Sequence, residues 1–172
     1  MAKLSAGILL FRHRGGRLQV LLVHPGGPFW EMKDQGSWSI PKGEYGPEED
    51  PLTAARREFL EETGMSVPDG ETIPLSPLKQ PSGKVVSAWA IEGDLDVSRI
   101  RSNTFSLEWP PRSGRRQDFP EVDRGEWLDL DAARGRIQQG QAPFLEELSG
   151  KLGPGESGPE RLPGGCTETL KS

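Results

Sequence analysis

GEYGPEEDPLTAARREFLEETGM, residues 43–65, decides how this chain is read. Asp50 can cap a helix, Pro51 suits a first turn, and Gly64 can take the left-handed conformation that closes one, so a helix is predicted over 51–63. Leu52, Ala55 and Phe59 fall on one stripe and make its core face. The stretch also holds seven carboxylates. Glu58 precedes Glu61 by three residues and Glu62 by four, so the three share a neighbouring face. Like charges at that spacing repel by about a few tenths of a kcal/mol per pair. No lysine separates them. Arg56 and Arg57 are the nearby cations, and Arg57 can pair with Glu61 one turn on. Glu58 and Glu62 are then left facing the same space.

A solvated acidic face is the common explanation of such a helix. A site for a hard divalent cation is the other, because magnesium and manganese take several oxygen ligands while keeping some waters. The preceding run GSWSIPKGE favours the cation site. It reads as a short strand over 38–40 that breaks at Pro41 into a tight loop. Such a loop can present the Gly43 carbonyl to the same cation and set Lys42 near a phosphate, although a lone lysine is more often solvated surface.

These residues resemble the Nudix box, G-x5-E-x7-R-E-U-x-E-E-x-G-U, with U an aliphatic or bulky apolar residue. The match is Gly43, Glu49, Arg57, Glu58, Phe59, Glu61, Glu62, Gly64 and Met65, without a gap, with Phe and Met at the apolar positions. The resemblance runs from about residue 3 to 152, because the strands, the box helix and a late PEVDRGEW segment follow in Nudix order. It implies a Nudix-type α/β/α sandwich with a mixed β-sheet, and a hydrolase of phosphoanhydride bonds that uses Mg2+ or, alternatively, Mn2+. It also implies that Glu58, Glu61 and Glu62 are the catalytic set, binding metal and supplying the base, with the Gly43 carbonyl as a further ligand. Arg57 and Glu49 resemble the ion pair that fixes the loop against the helix, a structural role. Glu121, six residues before Trp127, resembles a distal glutamate that some members use as another ligand or base; a plain surface glutamate is the competing reading.

Outward from the box, residues 4–11 (LSAGILLF) and 18–24 (LQVLLVH) read as strands joined at Gly15-Gly16. ETIPLSPLKQ and KVVSAWAIEG are two further strand candidates around a Pro81-Ser82-Gly83 turn. Residues 93–124 show no clear period. A short strand, EWLDL, and two helical segments, DAARGRIQ and APFLEELSGKL, follow. This irregular alternation predicts a mixed sheet with helices on both faces. From residue 153 the chain is rich in Gly and Pro, which predicts a disordered tail over 153–172 behind one domain over 1–152.

Composition limits the partners. The chain has 172 residues and a net charge of −5, which argues against a nucleic acid polymer. A small anionic ligand remains open, because a bound metal reverses the local charge. One cysteine, Cys166, allows no intramolecular disulfide, and the two histidines, His13 and His24, argue against a His-rich metal site. The apolar start is too short to span a membrane and lacks the features of a signal peptide, so the expectation is a cytoplasmic protein.

Phe29, Trp30 and Trp38 are candidates for stacking on a base, with Trp38 equally a core residue. Trp109-Pro110-Pro111-Arg112 with Arg115 and Arg116 is a basic, aromatic-flanked stretch that reads either as a phosphate clamp or as solvated loop. The W-x-x-P-K-G run at 38–43 resembles that of dinucleoside tetraphosphate hydrolases and of bacterial members described as nucleoside triphosphate pyrophosphohydrolases. The single tyrosine, Tyr45, lies inside the box, so the downstream tyrosine of many dinucleoside polyphosphate hydrolases is missing. The expected substrate is a nucleoside polyphosphate, either a triphosphate or a dinucleoside polyphosphate. The alternatives are an ADP-ribose or nucleotide-sugar pyrophosphatase and a non-catalytic nucleotide sensor.

Overall fold

A computed structural model describes residues 3–152. The tail predicted over 153–172, with Cys166, lies outside the described residues. Two apolar runs form the first hairpin, β1 (Leu4–Arg14) and β2 (Arg17–Pro25). Gly15 and Gly16 sit between them at φ 61° and 77°, the left-handed values a tight hairpin turn requires. β3 (Lys42–Tyr45) pairs antiparallel with the first half of β1, Leu4 to Gly7. α1 (Pro51–Thr63) has the bounds its caps predict: Asp50 accepts from the Thr53 N–H, and Gly64 at φ 77° closes the other end.

β4 (Thr72–Pro74) and β5 (Leu78–Lys79) are short pieces on the edge of β6 (Val85–Glu92). β6 runs parallel to β1 from Leu4↔Val85 to Phe11↔Glu92. β7 (Thr104–Glu108) and β8 (Arg116–Pro120) form a separate two-stranded ribbon. β9 (Val122–Asp129) returns to pair with β2, followed by α2 (Leu130–Arg136) and α3 (Ala142–Leu152). The sheet order is β4-β6-β1-β2-β9, with β1 and β6 its parallel pair.

Alternation along the strands splits the core. Ala6, Ile8, Leu10 and Leu21 face Ala54, Ala55 and Phe59 of α1. Leu9, Phe11, Val20 and Leu22 face Ala133 of α2 and Phe144, Leu145 and Leu148 of α3. The result is the expected α/β/α sandwich with a mixed sheet. Among the described residues no helix is long and apolar enough to cross a membrane. Phe59 is fully buried where α1 meets the sheet. Phe59→Ala is expected to cost about 3–5 kcal/mol and roughly 6–20 °C of Tm. A loss below about 1 kcal/mol in a chemical denaturation curve would contradict this packing.

Three expectations change. The strand read over 38–40 is a pair of isolated bridges, Val23↔Ser39 and Trp38↔Ile137; the sheet strand lies after Pro41, where the sequence suggested a loop. KGEY has no apolar alternation, and it becomes a strand because β1 offers it a free edge. The strand read over 71–80 splits around Leu75-Ser76-Pro77. The region without a period, 93–124, contains the β7–β8 ribbon.

Candidate active site

β3 and α1 bring the box residues together. Arg57 stands between them and gathers three carboxylates. Its Nε and Nη2 bond the two oxygens of Glu49 at 2.9 and 3.0 Å, and its Nη1 donates to Glu58 at 2.7 Å and Glu61 at 3.2 Å. The forked contact holds the Glu49 carboxyl below its usual range, and Glu49 is the main reason that Arg57 keeps its charge more firmly. The sequence reading had Arg57 serve Glu49 and Glu61 but leave Glu58 open. The long guanidinium also reaches Glu58, its neighbour in the chain.

Gly43 lies directly against the Glu58 carboxylate, so a Cβ built there would overlap its oxygens. Glu58 is buried, and this burial raises its pKa despite Arg57, with Glu61 and Glu121 adding to the rise. The Lys42 N–H donates to Glu62 at 3.2 Å. Burial pushes the Glu62 carboxyl up to about 8 against the pull of Lys42, and Glu58 and Glu121 push the same way. Burial also lowers the Lys42 amine, opposed chiefly by Glu62. Glu121 is pushed up by desolvation and then by Glu61. Pro25, Ser39, Lys42, Glu62, Glu121 and Gln138 contribute to the wall of a pocket of about 120 Å³.

Backbone bonds fix Glu121 at this rim. Its N–H donates to the Asn103 carbonyl at 2.9 Å, and the Asn103 N–H donates to the Glu61 carbonyl at 2.9 Å. The Glu121 carbonyl accepts from the Gly26 N–H at 3.0 Å.

Two buried polar residues that the sequence reading passed over hold the loops behind the site. Gln141 is fully buried; its Oε1 accepts from the Ile40 N–H at 3.0 Å, and its Nε2 donates to Ser39 at 3.0 Å. It thus braces the segment leading into Pro41, Lys42 and Gly43. His24, also fully buried, donates from Nε2 to the Lys33 carbonyl at 2.6 Å and meets Asp123 through Nδ1 at 2.9 Å. Trp38 is core, and its Nε1 donates to Asp34 at 2.7 Å. Lone polar residues with no partner spacing give no signal in a sequence.

The remaining predicted residues stand apart. Arg112, Arg115 and Arg116 are exposed at the outer end of the β7–β8 ribbon, and Arg116 spends its Nε on the Ser106 hydroxyl at 3.0 Å. At about 3.4 Å per residue, the six steps from Glu121 to Arg115 cover roughly 20 Å. Trp109 packs against Phe29 with ring centroids 5.4 Å apart. These residues do not share the space around Lys42 and Glu62.

Among the described residues no three acidic or imidazole side chains converge as a formed metal cluster. Glu58 and Glu61 turn to Arg57, and Glu62 to the Lys42 amide. The donor set still suits a hard cation: the oxygens belong to carboxylates, Glu58 and Glu62 are desolvated, Glu61 and Glu121 raise Glu58, and Glu58 and Glu121 raise Glu62. A cation entering this field relieves that repulsion.

A profile of the NUDIX domain family matches residues 1–148. An RNA pyrophosphohydrolase of Bartonella henselae is 29% identical over 145 residues, covering 74% of this chain and 76% of the relative. The Caenorhabditis elegans Ap4A hydrolase in a binary complex superposes with a TM-score of 0.62 at 21% identity, over 86% of this chain and 97% of that one. The NUDIX domain of Shewanella oneidensis NrtR, crystallised with ADP ribose, superposes with a TM-score of 0.59 at 18% identity, over 88% of this chain and 89% of that one.

Proposed function

Because this chain belongs to the NUDIX domain family and is a hydrolase of phosphoanhydride bonds, we propose that it is a divalent-metal-dependent pyrophosphohydrolase of nucleoside polyphosphates, either a nucleoside triphosphate or a dinucleoside polyphosphate. The observation that carries the proposal is the shared field of Glu58, Glu61, Glu62 and Glu121 beside Lys42. Domain 1–152 houses the activity, in a cytoplasmic setting.

Glu58, Glu61 and Glu62, with the Gly43 carbonyl and Glu121, would hold the metal, magnesium first and manganese second. When bound, such an ion neutralises phosphate oxygens and acts as a Lewis acid. The chain's own residues do the rest. Lys42 binds a phosphate oxygen at the pocket wall and keeps Glu62 oriented through its backbone N–H. Water attacks phosphorus, the phosphorus–oxygen bond of the anhydride breaks, and a phosphate-bearing group leaves. A glutamate of the set takes the proton from that water. Arg57 and Glu49 stay outside this chemistry and fix the angle between loop and helix. Trp109, Arg112, Arg115 and Arg116 touch the substrate only where it extends well beyond the pocket.

The test is a panel of nucleoside triphosphates, dinucleoside polyphosphates, ADP-ribose, nucleotide sugars and a 5′-triphosphorylated RNA. Each is incubated with the chain and magnesium or with EDTA, and the products are resolved by chromatography. Release of a nucleotide and a phosphate or pyrophosphate from a polyphosphate, abolished by EDTA, is the expected result. Turnover that persists in EDTA, or no product from any polyphosphate, would refute the proposal.

A further inference from the structure

Consecutive residues of a strand point to opposite faces, and β9 breaks that rule beside the site. Its register with β2 runs evenly from Gln19↔Asp129 to His24↔Arg124, and the next pair is Pro25↔Val122. Asp123 is left over, the extra residue of a β-bulge. The side chains agree with the register. The Asp123 carboxylate lies 2.9 Å from Nδ1 of His24, and the neighbouring Arg124 brings Nη1 to 3.5 Å from the same nitrogen. Two successive side chains thus meet one ring, which the alternation of an unbroken strand opposes.

The bulge decides where Glu121 goes. Beyond it the shifted register continues: the Gly26 N–H donates to the Glu121 carbonyl at 3.0 Å, and Gly26 lies so close to the Pro120 carbonyl that a Cβ there would overlap it. In the register that serves residues 124–129, Gly26 would stand opposite Val122, and Glu121 would fall one residue further along. A slip of one residue sends every side chain to the other face of a sheet. The carboxylate of Glu121 stands at the wall it shares with Lys42 and Glu62 because β9 carries one residue more than β2.

A bulged residue sits outside the ladder, so the pairing that fixes its neighbours does not fix it. The side chain of Asp123 meets His24 and Arg124. Arg124 is a loose partner, half exposed and 3.5 Å away. His24 is a rigid one. It is fully buried, its Nε2 donates to the Lys33 carbonyl at 2.6 Å, and its ring stands edge-on to Trp38 with centroids 5.2 Å apart. A side chain locked in this way can hold a neighbour to a fixed place. We propose that His24 is a positioning residue for the hydrolysis: it captures Asp123, holds the bulge of β9, and so keeps Glu121 at the pocket. The inference rests on the pyrophosphohydrolase reading and on the part Glu121 takes in it. His24 acts through Glu121 and touches neither substrate nor metal.

The experiment uses Asp123→Ala, which leaves the bond from His24 to Lys33 in place, and His24→Phe, which keeps a ring against Trp38 but loses both hydrogen bonds. If His24→Phe fails to fold, Asp123→Ala decides alone. Asp123→Asn is the conservative control, because its amide still meets Nδ1. The first readout is amide hydrogen exchange by NMR, without metal or substrate. The Gly26 and Glu121 amides are expected to exchange about tenfold faster or more in Asp123→Ala and His24→Phe, with Leu22 and Glu126 unchanged and Asp123→Asn close to the wild type. Unchanged exchange, or the same acceleration along all of β2 and β9, overturns the proposal. The second readout is kcat in a double-mutant cycle with Glu121→Gln. Asp123→Ala should lower kcat by about tenfold to a hundredfold in the wild type and by less than about twofold once Glu121 is replaced. No loss in the wild-type background, or the same loss in both, overturns it. A wild type that turns over no polyphosphate fails the hydrolase reading instead, and the exchange rates then decide whether His24 holds the bulge.

Discussion

Replacing Glu62 by glutamine is expected to abolish turnover, with a loss on the order of a thousandfold or more, while the fold persists. The amide keeps the shape of the side chain and its acceptor to the Lys42 N–H, but it gives up the charge a hard cation needs. Magnesium should raise the Tm of the wild type by several degrees at about a hundred times its dissociation constant, because the folded chain brings the ligands together. The variant should lose that rise. A second signature follows from burial, which lifts the Glu62 pKa to about 8, above its unfolded value. Such a carboxyl contributes stability that is fully present below the unfolded pKa and is lost as pH climbs through the folded one. In EDTA the wild type should therefore weaken between about pH 4.5 and pH 8, and Glu62→Gln should weaken less over that range. The measurements are initial rate, Tm with and without magnesium, and Tm against pH in EDTA. An active glutamine variant would end the metal-site reading of α1.

Gly43→Ala should separate function from folding in another way. The added methyl would occupy the space of the Glu58 carboxylate. That carboxylate is the free end of a flexible side chain, so it can swing away without unravelling β3. The fold should survive with a Tm change of only a few degrees, roughly what 1 kcal/mol produces in a domain of this size. Activity should fall by about a hundredfold, the cost of moving a catalytic group by about 1 Å. Wild-type kcat in the alanine variant would show that the contact between Gly43 and Glu58 has no part in the reaction.

Much of this could be read from the sequence where one physical signal dominated. The ends of α1 were visible because Asp50, Pro51 and Gly64 each satisfy a helix terminus in a known way. β1 and β2 were visible as apolar runs around two adjacent glycines. β3 was not, because KGEY is polar and half exposed, and only the partner edge of β1 makes it a strand. The β7–β8 ribbon was hidden because one of its faces is only half covered, and Gln117 and Arg115 interrupt its apolar alternation. At the site, the pairing of Arg57 with Glu61 followed from spacing, and its pairing with Glu49 was implied by the resemblance to the box. Its third partner, Glu58, followed from neither, because adjacent residues on a helix do not face each other and only a long side chain bridges them. The tip arginines read either as a phosphate clamp or as solvated loop in the sequence; the ribbon holds them exposed at its outer end.

The brace from Gln141 also sets an order of events during synthesis. Every carboxylate of α1 and the lysine beside it are made before residue 63, yet the Ile40 N–H is held by a side chain 101 positions after it. At about 5–20 residues per second, the ribosome needs roughly 5–20 s to close that gap. Through that interval the nascent chain carries the charged groups of its site without the clamp that shapes the loop between them. The clamp therefore arrives late, with the turn before α3, and a chain truncated before Gln141 is expected to lose activity in a hydrolysis assay although its box is intact.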